Sequence, residues 1–194
     1  EKLLVLYGKE TIMDHLIIVD CQYDFIDGSL ACAHSHEAVS NLVNYINTHE
    51  VDVIYTSDWH GETNQSFLVN GGIWPVHCVA GTKGAALSAV FEQIHRESER
   101  PNKKNIFLKG KSDEIEEYSA YLAMNEDGTV LKDIVSSHVI VGGIASEYCV
   151  RETTLSLLKA GHTVSLLSDC VGYVSLEEHK KNIEDLKKRG VEIL

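Results

Sequence analysis

The chain has 194 residues, of which 44% are hydrophobic and 24% charged, and its formal net charge is −12. These values are typical of one globular domain with a substantial core. The acidic balance argues against nucleic acid as a partner, because phosphate binding requires basic patches. No apolar run approaches the roughly 20 residues that span a bilayer, so we expect no membrane partner.

Five cysteines occur at irregular spacings, and none forms a Cys-x-x-Cys pair. This pattern disfavours disulfides and favours a reducing compartment, which predicts a cytoplasmic protein. The first twelve residues make a poor signal peptide, because their apolar stretch is short and their first residue is acidic. We predict a single domain over residues 13–194, with residues 1–12 as a leader or extension and Met13 as a candidate for the native start.

Apolar runs alternate with segments of helical spacing along the chain. Strands are predicted at 15–19, 51–56, 105–108, 139–142, 163–167 and 191–194. Helices are predicted at 36–49, 84–98, 147–160 and 176–189, with shorter helical pieces at 112–124 and 128–136. The alternation predicts an α/β fold: a doubly wound, mostly parallel six-stranded sheet between two helical layers, of Rossmann-like type. A long loop, from Ser57 to about Gly84, is expected to be functional.

Ionisable or nucleophilic groups stand at the ends of the predicted strands. Asp20 follows LIIV, Lys109 follows NIFL, and Cys149 lies just beyond HVIVGG. We expect these groups to converge, because the carboxyl ends of parallel strands face a common crevice. A thiol, a carboxylate that takes its proton and a cation together form an activated nucleophile. Taken singly, the same residues are also explained as a turn carboxylate, a solvated lysine and a structural cysteine.

The segment GGIASEYCV places Cys149 between a buried strand and the start of a helix, with Ser146 as the expected N-cap. A thiol in the first turn of a helix meets unpaired N–H groups and the positive end of the helix dipole. Both features lower the pKa of the thiol, and the N–H groups can hold an oxyanion. The segment therefore suggests acyl-transfer chemistry.

A metal site is the second candidate. Asp58-Trp59-His60 places a carboxylate and an imidazole on the same side of an extended backbone, and His77 follows in WPVHC. Two histidines and one carboxylate leave open coordination positions, which is typical of catalytic metal sites. Asp-x-His alone is a weak signal and the chain has ten histidines, so a site without metal stays an alternative.

These motifs together resemble the nicotinamidases (pyrazinamidases) of the isochorismatase-like cysteine hydrolase superfamily. The resemblance runs from about residue 16 to 172, through the segments LIIVDCQYDFIDGSLAC, TSDWH, NGGIWPVHCVAGTKGA, FLKGK, EYSAY and GGIASEYCVRETTLSLLKAGHTVSLLSDCVG. The superfamily shares the Asp, the Lys and the Cys. The Asp-x-His…His set marks the nicotinamidases within it.

The resemblance implies that Cys149 attacks a carboxamide carbon, that Asp20 transfers the thiol proton to the departing ammonia, and that Lys109 maintains their reactive charge state. A thioester forms and water hydrolyses it. The backbone N–H groups of Ala145 and Cys149 would form the oxyanion hole. The bond that matches Ile144–Ala145 is cis in this family.

The resemblance also implies a divalent metal on Asp58, His60 and His77 that coordinates a pyridine nitrogen and so positions the substrate. Zn²⁺ is favoured by the nitrogen and oxygen ligands, with Fe²⁺ and Mn²⁺ as alternatives. Many relatives carry a further histidine four residues after the DWH histidine. Here that position is Asn64, so Asn64 and Glu62 are the candidates for a fourth ligand.

The walls of the substrate pocket match Phe25 and Trp74, with Leu30, Ile144 and Tyr148 as further candidates. The implied activity is hydrolysis of nicotinamide, and of pyrazinamide, in NAD salvage. One alternative is a superfamily hydrolase that acts on another small amide or ureido compound. Another is a catalytically inactive domain kept for binding, because a fold alone does not define function. The sequence leaves a homo-oligomer open.

Overall fold

The computed structural model describes residues 13–194, and the predicted leader, residues 1–12, lies outside them. The strands are β1 (His15–Val19), β2 (Asp52–Asp58), β3 (Ile106–Lys109), β4 (His138–Gly143), β5 (Thr163–Val171) and β6 (Glu192–Ile193). They form one sheet in the order β3-β2-β1-β4-β5-β6, and every neighbouring pair is parallel. The predicted six-stranded α/β sheet is confirmed.

Helices cover both faces of the sheet. They are α1 (Tyr23–Ile26), α2 (Ser35–Thr48), α3 (Arg151–Lys159) and α4 (Leu176–Lys188). One apolar layer packs under α1 and α2 and includes Leu16, Ile18, Leu42, Ile46 and Phe91. The opposite layer packs under α3 and α4 and includes Ile17, Val19, Phe107, Leu157 and Leu186. Successive residues of β1 alternate between the two layers, so the strand is buried on both faces.

Of the predicted helical segments, 84–98 and 112–124 are wrong, and 128–136 is shorter than predicted. Residues 84–98 contain only short 3₁₀ turns, at Ala89–Gln93 and Glu97–Glu99. The buried residues Phe91 and Ile94 are three positions apart, a spacing that suits a 3₁₀ turn as well as an α-helix. Residues 128–136 likewise contain a single described 3₁₀ turn, at Leu131–Asp133.

Residues 112–124 form no described helix, although the sequence predicts one. Tertiary hydrogen bonds take the backbone groups that a helix would use. Leu108 and Met124 exchange backbone hydrogen bonds, at 2.9 and 3.2 Å, and the N–H of Ala120 donates to Thr153 Oγ1 at 3.0 Å. Within residues 13–194, no helix has both the length and the apolar character needed to cross a membrane.

The strand register brings the chemically active groups to one edge of the sheet. Asp58 at the end of β2 lies opposite Lys109 at the end of β3. Val19, which precedes Asp20, lies opposite Gly143 at the end of β4. The carboxyl ends of parallel strands line a single crevice, so this register builds the site described next.

Candidate active site

A buried ionic cluster lies at the carboxyl ends of the central strands. Lys109 Nζ is 2.9 Å from Asp20 Oδ2 and 2.5 Å from Asp58 Oδ1. It also donates to Cys149 Sγ at 3.4 Å. One carboxylate oxygen of each aspartate and the sulfur of Cys149 lie within 4.8 Å of one another. The structure therefore brings the predicted Asp, Lys and Cys together and adds a second carboxylate to them.

The ammonium of Lys109 directs its three N–H bonds at Asp58 Oδ1, Cys149 Sγ and the carbonyl oxygen of Glu117. Asp20 Oδ2 is close to this ammonium but, among the described residues, it accepts no directed hydrogen bond. The other oxygen of Asp20, Oδ1, accepts from Thr56 Oγ1 at 2.6 Å. Asp20 Oδ2 is thus the oxygen that remains able to accept a proton from the thiol.

The protonation states of the cluster follow from burial and from the shared ammonium. Burial raises the pKa of the Cys149 thiol well above its ordinary value; Lys109 opposes this effect, and both aspartates add to it. The predicted lowering of the thiol pKa is therefore wrong. Burial also raises the pKa of Asp20, although Lys109 opposes it. Burial lowers the pKa of Lys109, but the two carboxylates overcome this and hold it well above its ordinary value.

A second cluster adjoins the first and shares Asp58 with it. Asp58, His60 and His77 are buried, and each places one ligand atom within 4.8 Å of the others. His60 Nδ1 donates to Gly110 O at 2.8 Å, and His77 Nδ1 donates to Pro75 O at 2.7 Å. Because the carbonyl acceptors place the proton on Nδ1 of both rings, Nε2 is the free ligand atom of each. Two imidazole nitrogens and one carboxylate fit a divalent metal ion with open positions.

A narrow cavity of about 30 Å³ opens onto both clusters. Its walls include Cys149 and His77 together with four of the predicted substrate-pocket residues, Phe25, Leu30, Trp74 and Tyr148. The rings of Trp74 and Tyr148 meet edge to face with centroids 5.0 Å apart. Flat aromatic walls around a few polar groups suit a small planar ligand.

The family model for the isochorismatase domain matches residues 14–194. The chain belongs to the isochorismatase family. A similar solved structure is the pyrazinamidase of Pyrococcus horikoshii in complex with zinc, which is 33% identical. The match covers 94% of this chain and 98% of that chain, with a TM-score of 0.78.

Two further relatives are similar over nearly the whole chain. The yeast nicotinamidase bound to the inhibitor nicotinaldehyde is 25% identical, covers 94% of this chain and 99% of its own, and has a TM-score of 0.79. The nicotinamidase/pyrazinamidase of Mycobacterium tuberculosis is 28% identical over 192 residues, which are 94% of this chain and 98% of that protein. The resemblance predicted from the sequence is confirmed.

The two candidates for a fourth metal ligand, Asn64 and Glu62, lie in different surroundings. Asn64 Oδ1 accepts from the N–H of Ser66 at 2.9 Å, and Asn64 Nδ2 donates to Ser112 O at 3.2 Å. Asn64 Nδ2 also lies 3.2 Å from His60 Nδ1, so the amide contacts a predicted metal ligand as well as the surrounding loop. Glu62 is exposed and, among the described residues, does not belong to the group of potential ligands.

The turn that carries Cys149 differs from the predicted simple helix start. Residues Ser146–Val150 form a π-helical turn that continues into α3. Ser146 is not the N-cap: its Oγ lies 2.7 Å from His179 Nδ1 and 3.2 Å from Asn182 Nδ2, both on α4. The π-helical geometry, which recurs at functional sites, aims Cys149 at the cavity.

The peptide bond Ile144–Ala145 is cis, as the resemblance implies for the isochorismatase family. Ala145 lines the cavity, and within residues 13–194 no acceptor is found for its N–H. The side chain of Ile144 is 0% exposed and packs in the core, so the structure does not place it on the cavity wall.

Sequence reasoning missed several residues that hold the site. Gln22 pairs with the backbone of Asp58, donating to its O and accepting from its N–H, both at 2.8 Å. Tyr118 lines the cavity and accepts from Trp74 Nε1 at 3.1 Å. Tyr118 lies within the EYSAY segment, so the sequence contained a motif that could have identified it. Thr56, which donates to Asp20, lies inside a strand, and no motif marks it.

Proposed function

We propose that this chain is a nicotinamidase, which hydrolyses nicotinamide to nicotinate and ammonia and also accepts pyrazinamide. The observation that carries the proposal is the buried thiol–carboxylate–ammonium cluster, which shares one aromatic-lined cavity with two histidines and a carboxylate. The relatives that are named nicotinamidase or pyrazinamidase support the same substrate class.

Cys149 is the nucleophile and Asp20 the general base. The thiol is neutral at rest, so attack on the carboxamide carbon is coupled to transfer of the S–H proton to Asp20 Oδ2. The tetrahedral adduct collapses when Asp20 returns that proton to the amide nitrogen, which leaves as ammonia. A thioester remains on Cys149. Water then adds to the thioester carbon, loses a proton to Asp20, and releases the carboxylic acid with the thiol restored.

Lys109 stabilises the negative charge that moves between Asp20 and Cys149, because its ammonium contacts both. The backbone N–H groups of Ala145 and Cys149 serve as the oxyanion hole. Donors held in place at a developing oxyanion are typically worth about 3–4 kcal/mol each in the transition state.

Asp58, His60 and His77 would hold a divalent metal ion, with Zn²⁺ favoured and Fe²⁺ or Mn²⁺ as alternatives. When bound, such an ion supplies a Lewis-acidic coordination point for a ring nitrogen. The aromatic walls, Phe25 and Trp74 with Leu30 and Tyr148, hold the ring so that the carboxamide faces the thiol. The related pyrazinamidase in complex with zinc supports zinc as the metal.

We further propose that residues 13–194 form a single domain and that the enzyme acts in NAD salvage in the cytoplasm. The five cysteines are free and buried, in keeping with a reducing compartment.

The test measures ammonia release from nicotinamide by the purified, metal-loaded protein. We expect turnover that is lost in Cys149→Ala, that falls after chelation, and that returns when metal is restored. Cys170→Ala is the matched control, because it makes the same change at a buried cysteine in the core outside the cavity. Mass spectrometry of acid-quenched enzyme should show an acyl adduct on Cys149. A folded, metal-loaded protein without turnover of nicotinamide would refute the proposal. Cysteine-dependent release of ammonia from another amide would then support the alternative substrate.

A further inference from the structure

Glu117 lies in the irregular segment after β3 and has no part in the chemistry proposed above. Its carboxylate oxygen Oε2 accepts a hydrogen bond from the backbone N–H of Gly110 at 2.8 Å. Its carbonyl oxygen accepts from Lys109 Nζ at 3.2 Å. Glu117 therefore contacts two consecutive residues, Lys109 and Gly110. Its carboxylate bonds to the backbone N–H of Gly110 and not to a charged side chain.

Gly110 in turn determines how His60 is held. The carbonyl of Gly110 accepts the Nδ1–H of His60 at 2.8 Å. Gly110 has φ +66°, and a Cβ at this position would lie 2.5 Å from His60 Cε1, so the backbone lies directly against the imidazole. Glycine is the most flexible residue in the backbone. The hydrogen bond to Glu117 fixes the peptide that precedes Gly110, and so limits, at one end, the rotation of the residue whose carbonyl holds His60.

The peptide between Lys109 and Gly110 makes a second link to the metal-binding loop. Its carbonyl, on Lys109, accepts from the N–H of Trp59 at 2.8 Å, and its N–H donates to Glu117. Trp59 lies between Asp58 and His60. A carboxylate at the N–H end of a peptide polarises it and strengthens the hydrogen bond at the carbonyl end.

We propose that Glu117 is a positioning residue for the metal site: its carboxylate fixes the backbone at Gly110, which fixes the ring of His60 and the loop that carries Asp58. The inference rests on the metal ligands in the proposed function. Partners that orient a metal-bound histidine typically contribute about 10- to 100-fold to metal affinity. Glu117 orients His60 indirectly, through the backbone of Gly110.

The test is a competition titration with Zn²⁺ against a chromophoric chelator on the full chain, with Co²⁺ absorption spectra as a second readout. We expect Glu117→Ala to weaken Zn²⁺ binding by about 10-fold or more and to alter the Co²⁺ bands. Glu117→Gln keeps an acceptor oxygen, so its affinity should stay within about three-fold of the unchanged protein. Glu114→Ala is the matched control, because Glu114 is an exposed glutamate of the same segment. Its loss should change the affinity for Zn²⁺ by less than about two-fold.

Equal Zn²⁺ affinity in Glu117→Ala and the unchanged protein would overturn the proposal. If Glu117→Ala does not fold, Glu117→Asp replaces it, because the shorter side chain keeps the charge but withdraws it from Gly110. Unaltered affinity in Glu117→Asp then counts against the proposal, and weakened affinity supports it. Failure of the unchanged protein to bind Zn²⁺ would instead refute the metal set of the proposed function, and this inference with it. Turnover of nicotinamide is measured separately, so the two failures are distinguishable.

Discussion

Replacement of Lys109 by methionine tests the ionic cluster most directly. Methionine matches the length of the lysine stem but removes the ammonium, so two buried carboxylates lose their counter-charge. At 2.9 and 2.5 Å, each ion pair is worth about 6–7 kcal/mol for an effective dielectric constant of about 20. The cost of burying the ammonium offsets much of this, and the net destabilisation from removing one partner of a buried pair is about 3–5 kcal/mol.

The loss of folding free energy in Lys109→Met should depend on pH. Lys109 lowers the pKa of both Asp20 and Asp58, so its removal raises both. A carboxyl whose pKa in the folded protein exceeds its unfolded value favours folding below that unfolded value, and the advantage is lost as pH rises through the folded pKa. The loss of stability should therefore be large near neutral pH and shrink as the pH falls toward the ordinary aspartate pKa of 3.8.

Urea unfolding of both proteins at about pH 7 and about pH 4.5 measures this difference. Lys111→Met is the control, because Lys111 is an exposed lysine two positions away and its loss should change the free energy of unfolding by less than about 0.5 kcal/mol. If Lys109→Met lowers the free energy of unfolding by less than about 1 kcal/mol, or by equal amounts at both pH values, the ammonium does not neutralise these carboxylates in the folded protein.

Two further substitutions test neighbouring parts of the site. Thr56→Val removes the 2.6 Å hydrogen bond to Asp20 Oδ1 at nearly constant volume and should cost about 1–3 kcal/mol in urea unfolding. Thr56 also lowers the pKa of Asp20, so the acidic limb of the pH–rate profile should move to higher pH, and an unmoved limb contradicts Asp20 as the base. Gly143→Ala places a Cβ 2.1 Å from the carbonyl oxygen of Val19 at φ +120°. It should cost about 3 kcal/mol or more, and a thermal midpoint equal to that of the unchanged protein would be inconsistent with this register.

The sheet was predictable because its strands are short apolar runs that are buried on both faces, such as HLIIV at His15–Val19. The segment after β3 was not, because good helix formers there yield to long-range partners. Residues 112–124 use their backbone to hold Lys109 and to pair with Leu108, contacts that no local pattern contains. The helix prediction failed because the contacts that this segment makes with the site outweigh its local helix propensity.

The same contrast applies to the site. Strand ends and the spacing of DWH and WPVHC were sufficient to select the residues that converge. The sequence does not show which partners the amide of Asn64 finds, and in the structure these are Ser66, Ser112 and the ring of His60. The prediction of the thiol pKa was wrong for a related reason: the helix start is visible in the sequence, whereas the burial of Cys149 and the second carboxylate beside it, Asp58, are not.

The two carboxylates illustrate what only the assembled site can decide. Asp20 and Asp58 both follow apolar strands, both are buried, and both contact the ammonium of Lys109. Burial raises the pKa of each, and Lys109 opposes this at both. The charge and hydrogen bond of His60 lower the pKa of Asp58 further, whereas the charge of Asp58 raises the pKa of Asp20, so the pKa of Asp58 falls below its ordinary range while that of Asp20 rises. Paired carboxylates whose environments separate their pKa values take different roles. The one that stays ionised suits a metal ligand, and the one with the higher affinity for a proton suits the exchange with Cys149.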